Sequence, residues 1–235
     1  MSTYDFSLNR DQVIKGALRK LGVISEGQTP STAQIDDCAE ALNVLVKAWQ
    51  AEGLPLWAIK QTSFTPTTSV AKYTIGTGQT VAVAKPLKVY QMWLRDNTSS
   101  VDIPMYLLTQ QQYNILGNKT STGTPTQFYY ENLNTTGNLY LFPTPDSVTA
   151  SGKTVYLQYQ APFADFDSST DVPDFPQEWI RALVYGLAAD LSFDFGYPRL
   201  DRQELIAMAE KFKEEALAFT QEEGSLFFQI DTHRR

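Results

Sequence analysis

Residues 9–23 read NRDQVIKGALRKLGV and residues 173–191 read PDFPQEWIRALVYGLAADL, and the fold turns on taking these two distant stretches together. In the first, Asn9 followed by Gln12 is a capping-box pattern, with Leu8 and Val13 spaced for a hydrophobic staple. Val13, Ile14, Ala17, Leu18 and Leu21 recur on one face at the helical period. Gly22 then offers a left-handed C′ position, and Val23 is placed to pack back onto Leu18. In the second stretch, Asp174 with Gln177, and Pro176 in the first turn, predict a helix whose face is Trp179, Ile180, Leu183, Val184, Leu187, Ala188 and Leu191. Ala182, Gly186 and Ala189 leave one side of it narrow. A strip of small residues admits a neighbouring helix at close range, so this helix is expected at the centre of a helical core.

Each of the two has a companion. Ser31 with Gln34 opens a longer helix with Ile35, Cys38, Ala39, Leu42, Leu45, Val46 and Trp49 on its apolar face and Gly53 as terminator. Asp201 with Glu204, stapled by Leu200 and Leu205, predicts a charged helix with Leu205, Ala209, Phe212, Ala216 and Phe219 on one face, closed by Gly224. Short helices in water owe most of their stability to tertiary packing, and neither pair buries enough by itself. The expectation is therefore an α+β protein: a discontinuous four-helix bundle from both termini, residues 1–56 and 167–235, with a β-sandwich or barrel-like domain inserted at 57–166. Its helical core would contain Leu18, Leu42, Trp49, Trp179, Leu183, Leu187 and Phe212.

From Ile59 the periodicity changes to two. Candidate strands are 59–64, 72–75, 80–83, 87–95, 101–106, 127–131, 139–142 and 155–160, separated by Gly, Pro, Asn, Ser and Thr clusters. In 87–94 both alternating sets are largely apolar, which marks a strand covered on both sides or lying at a subunit contact. Asn132 to Gly137 reads as a hairpin loop, and 109–116 as one short helix.

Hydrophobic content of 43 % and charged content of 19 % are ordinary for a globular chain. No apolar run approaches the roughly 20 residues of a membrane span, and the N-terminus lacks signal-peptide features, so assembly in a cytosol is expected. The net charge of −7 argues against a binder of the phosphate backbone. It is compatible with a surface past which DNA slides. Cys38, the only cysteine, sits on an apolar face and reads as a small hydrophobe.

A catalytic constellation is hard to assemble, because the only histidine, His233, lies in the C-terminal tail. Gly117-Asn118-Lys119-Thr120 lacks the glycines of a phosphate loop. Asp165, Asp167 and Asp171 alternate like calcium-loop ligands, yet Thr170 replaces the turn glycine and Pro176 the bidentate Glu, which favours an acidic linker. No cofactor, metal or catalytic residue is assigned.

The helical pattern also carries a resemblance. Ala17-Leu18-Arg19-Lys20-Leu21-Gly22-Val23, Ala41-Leu42-Asn43, Trp49-Gln50-Ala51-Glu52-Gly53 and Leu56-Trp57 resemble the opening of tailed-phage head-to-tail adaptors. Pro173-Asp174-Phe175-Pro176-Gln177-Glu178-Trp179 and Ala182-Leu183-Val184-Tyr185-Gly186-Leu187-Ala188 are similar to their second half. With the β insertion, the likeness is to the podovirus tail tubular protein A type. It implies a non-enzymatic virion protein of the neck: a dodecameric ring below the portal that prolongs the DNA channel and receives the tail nozzle. Two alternatives come from other classes, a virion-associated glycan or cell-wall hydrolase, and a glycan-binding β module using Tyr90, Trp93, Tyr106, Tyr113, Tyr129, Tyr130 and Tyr140. The C-terminal residues Leu226, Phe227, Phe228 and Ile230 are expected to dock on the portal, the other possibility being that they fold back onto their own helices.

Overall fold

A computed structural model describes residues 6–52 and 58–220 of the chain. Gly53, Leu56, Trp57, Gly224 and the tail residues Leu226, Phe227, Phe228 and Ile230 lie outside the described residues. In chain order the elements are α1 (Arg10–Lys20), α2 (Thr32–Ala51), β1 (Ile59–Phe64), β2 (Lys72–Ile75), β3 (Lys88–Asp96), β4 (Asp102–Leu107), α3 (Gln110–Asn114), β5 (Thr122–Gly123), β6 (Gln127–Asn132), β7 (Gly137–Phe142), β8 (Thr144–Pro145), α4 (Ser147–Gly152), β9 (Lys153–Gln160), α5 (Ile180–Leu191) and α6 (Arg199–Thr220). They divide into two compact units, Met1–Leu56 with Ala164–Arg235, and Trp57–Phe163.

In the first unit α5 packs against α1, α2 and α6, and α1 also touches α2. The local reasons are visible at each end. Asn9 and Gln12 exchange side chain to backbone bonds of 2.9 Å in both directions, and Ser31 and Gln34 at the head of α2 do the same at 2.9 and 3.3 Å. At the other end of α1, Gly22 takes φ 66°. Its N–H donates to the Arg19 carbonyl and the Val23 N–H to the Leu18 carbonyl, both at 3.1 Å, which is the Schellman closure. Leu18, Leu42, Trp179, Leu183 and Leu187 are fully buried, with Trp49 and Phe212 nearly so.

Two helix starts differ from the sequence expectation. α5 starts later than expected: Pro176 keeps an extended ψ of 155°, a 3-10 turn follows at Gln177–Trp179, and α5 begins only at Ile180, whose preceding Trp179 makes no side-chain capping bond. Asp201 does not cap α6. The Pro198 carbonyl accepts the Arg202 N–H at 2.9 Å, so the helix starts three residues earlier, at Arg199 instead of Arg202, and Asp201 lies in its first turn, where it faces the positive end of the helix dipole. The Leu200/Leu205 staple is consequently absent, since Leu200 is 79 % exposed while Leu205 is buried. Phe219, expected on the buried face, is 74 % exposed.

The second unit is one seven-stranded sheet in the order β1-β9-β3-β4-β6-β7-β2, with a separate β5-β8 pair. It is not two facing sheets. The sheet curls until its edge strands meet through Phe64 and Tyr73, whose ring centroids are 4.8 Å apart. Its core is Tyr73, Ile75, Met92, Leu94, Phe128, Leu139, Leu141, Val155 and Leu157, all nearly or fully buried. Within the seven-stranded sheet all ladders are antiparallel except β4 with β6, whose parallel pairing requires the crossover that α3 begins; the short β5-β8 pair is parallel too.

The doubly apolar reading of 87–94 has a different cause from covering on both sides. The register with β9 shifts between Val89 and Gln91, leaving Tyr90 as the extra residue of a β-bulge. Val89 points inward before the bulge, and Met92 and Leu94 after it, so the inward set changes parity. The expected strand at 80–83 is a turn instead. The Gly76 N–H donates to the Val81 carbonyl and the Val81 N–H to Thr74, closing the segment back onto the end of β2.

Candidate functional site

The acidic loop after the sheet holds the helical unit together. Asp165 pairs with Lys47 at 2.6 Å, and the Phe166 N–H donates to Asn43 Oδ1 at 2.8 Å, so the loop is tied to α2 at two points one turn apart. The Asp167 carbonyl accepts Arg10 Nη1, the Asp171 carbonyl accepts the Arg10 N–H, and the Asp171 carboxylate accepts the Ser168 N–H. These three aspartates thus serve separate structural bonds. Among the described residues no three His, Cys, Asp or Glu side chains converge as a metal site would require.

Cys38 is fully buried. Burial, with Asp37 and then Asp194 adding negative charge, pushes its thiol up to about 11. Since thiolate is the reactive form, this cysteine is inert at neutral pH.

The aromatic residues of the sheet sort into groups. Tyr129 and Tyr140 are directly opposite on β6 and β7, and Tyr113 of α3 lies over both, with centroid separations of 5.0–5.8 Å. Lys119 stands over Tyr113 and Lys72 over Tyr140, while Glu131 accepts the Tyr140 hydroxyl at 3.1 Å. Burial is the first cause raising all three phenols. Trp93 stacks on Tyr156 at 5.6 Å and 8°, and the Arg95 guanidinium, held bidentately by Asp102 at 2.7 and 2.6 Å, covers the next part of the same Tyr156 ring. Tyr130 points inward and donates to the Pro86 carbonyl at 2.7 Å. Tyr90 donates to Gln160, and only Tyr106 is largely exposed, at 70 %. A sugar platform needs a free ring face. Here the ring faces of the clusters are spent on each other and on cations, so they fix α3 and the strands.

The helical unit carries a different kind of surface. α2, α5 and α6 enclose an apolar groove of about 270 Å3 lined by Leu45, Trp49, Gly186, Ala189, Phe193, Ile206 and Ala209, with Asp190, Glu210 and Lys213 at its margin. Lys213 pairs with Glu52 and lies 5.4 Å over the Trp49 ring. Burial, then the charge of Asp194, raises the Asp190 carboxyl above the ordinary range. Phe193 is 61 % exposed beside it. The periodicity of α2 and α5 points to Trp49 and Gly186. Phe193 carries no such signal, because it lies in the turn after α5, where helical period no longer applies.

The described residues thus present packing clusters and an open apolar groove, and no helix among them is long and apolar enough to cross a membrane. No curated protein matches the chain. The model of the SU10 adaptor protein family matches residues 11–226. On that coverage, the chain belongs to the SU10 adaptor protein family.

Proposed function

We propose that the chain is a structural subunit of the phage neck, forming a ring, dodecameric by its likeness to tail tubular protein A, between the portal and the tail nozzle. The family match over residues 11–226 carries this reading, because that family is one of structural adaptors. The resemblance of the helical segments to head-to-tail adaptors supports the finer assignment. In such a ring the helical unit, tightly cross-braced through Gly186 and Trp49, supplies a rigid wall, and Leu226, Phe227, Phe228 and Ile230 attach it to the portal. DNA passes through a lumen that is net negative or neutral. The net charge of −7 supports that arrangement, since weak attraction keeps the duplex mobile. Nothing in the aromatic clusters favours the hydrolase or glycan-binding alternative.

The test is to mix the purified chain with purified portal and image the product by electron microscopy. A ring seated on the portal is expected, together with no retention of duplex DNA on filters at physiological salt. Failure to associate with the portal, or clearing of a cell-wall gel by the chain, would overturn the proposal.

A further inference from the structure

The groove between α2, α5 and α6 has a direction. Along α6 it is lined by Ile206, Ala209, Glu210 and Lys213, and the same helical stripe continues through Leu217 toward Thr220, where α6 ends. Its margin is mainly acidic. The Lys213 ammonium is already engaged by Glu52. Asp190 and Glu210 stand at the same margin, and Asp194 is close enough to act on both Asp190 and Cys38, as is Asp37 on Cys38.

The chain beyond α6 is first apolar and then basic. Residues 226–230 read LFFQI, and 233–235 read HRR. From Thr220 back to Lys213 along a helix is about 10 Å, and back to Ile206 about 21 Å. Residues 221–227 span up to about 23 Å when extended, so Phe227 and Phe228 reach the apolar part from their own helix end. The basic residues that follow complement the acidic margin.

We propose that in the free subunit residues 226–235 lie back along α6 in the groove of the same chain, with Phe227 and Phe228 against Trp49, Phe193 and Ile206 and with Arg234 and Arg235 beside Asp190, Asp194 and Glu210. The groove then withholds the apolar anchors from solvent until an assembly partner competes for them. This concerns the unassembled protein and does not depend on which partner later takes the tail. Exposed apolar segments favour unspecific association, and a groove on the same chain meets them at high effective concentration.

The test traps the contact in the full-length chain carrying Cys38→Ala. With Ile206→Cys and Phe228→Cys, mild oxidation is expected to give an intramolecular disulfide whose yield does not change over a hundredfold dilution. Lys211→Cys with Phe228→Cys is the control, being nearer in sequence but on the other side of α6, and should trap at least fivefold more slowly. Arg234→Glu with Arg235→Glu should slow the Ile206 trap. Equal trapping at both positions overturns the proposal, and so does a disulfide that forms only between chains, which would place the tail on a second copy. Hydrogen exchange of the unsubstituted chain gives an independent readout. Residues 45–49 and 206–213 should exchange faster in a chain ending at Gly224, and unchanged exchange there likewise overturns the proposal.

Discussion

A Cβ at residue 186 would lie 2.9 Å from Trp49 Cζ2 and 3.4 Å from Leu45 Cδ2. The absent side chain of α5 is therefore what lets the indole of α2 reach its backbone. The indole has little room to yield, for Phe175 and Trp179 stand against it with centroids at 6.3 and 5.8 Å. Alanine in a helix is normally favoured over glycine by about 1 kcal/mol, but overpacking a tight contact costs about 1–3 kcal/mol. Gly186→Ala is expected to lower the melting temperature despite its better propensity, and Gly186→Val to lower it much further. A higher melting temperature for Gly186→Ala would show that α2 moves away freely.

The ends of α1 are predicted to be stabilising in their own right. Asn9→Ala removes the acceptor for the Gln12 N–H and should cost about 1 kcal/mol in denaturant unfolding. Gly22→Ala places a side chain at φ 66° and should cost roughly 1 kcal/mol, although nothing lies within 4 Å of the added methyl. A neutral Gly22→Ala would mean that the closure relaxes into a right-handed turn.

Acid should weaken the sheet unit through three aspartates. Asp96 accepts the backbone N–H groups of Ser99 and Thr98, Asp102 is held by the Arg95 guanidinium, and Asp146 caps α4 through the Thr149 N–H. Each contact holds its carboxyl below the usual aspartate value. A depressed folded pKa contributes stability that is present above the unfolded pKa and is lost as pH falls through the folded one, so the decline should begin near about pH 4 and continue downward. The melting temperature measured from pH 7 to pH 2 should show this. The combined Asp96→Asn, Asp102→Asn and Asp146→Asn variant should flatten the acid limb, and an unchanged limb would place the acid sensitivity elsewhere.

Residues 57–163 are proposed to fold by themselves, because Phe128, Leu139, Leu141, Val155 and Leu157 form a core within that segment. Expressed alone, the segment should unfold cooperatively, and Leu157→Ala should destabilise it by about 2–5 kcal/mol. A non-cooperative melt would show that the sheet needs the helical unit.

Local interactions were legible in the sequence because they are complete within a few residues. The capping boxes at Asn9 and Ser31 and the Gly22 closure each depend on neighbours in the chain, while strands 59–64 and 72–75 were marked by their period of two although their ladders run to distant strands; the mixed α+β character follows from both signals. Tertiary structure decided what local patterns leave degenerate. Neither α5 nor α6 starts where the spellings at Asp174 and Asp201 place it, because Pro176 stays extended ahead of a 3-10 turn and the Pro198 carbonyl already accepts the first bond of α6. The bulge at Tyr90 turned an apparently two-sided strand into a one-sided one, an effect set by pairing with β9 and invisible in β3 alone. Sequence periodicity told which face of α5 is narrow. That Trp49 fills the narrow place, and that Phe193 and Ile206 leave a groove open beside it, depends on helices far apart in the chain, whose approach only packing fixes.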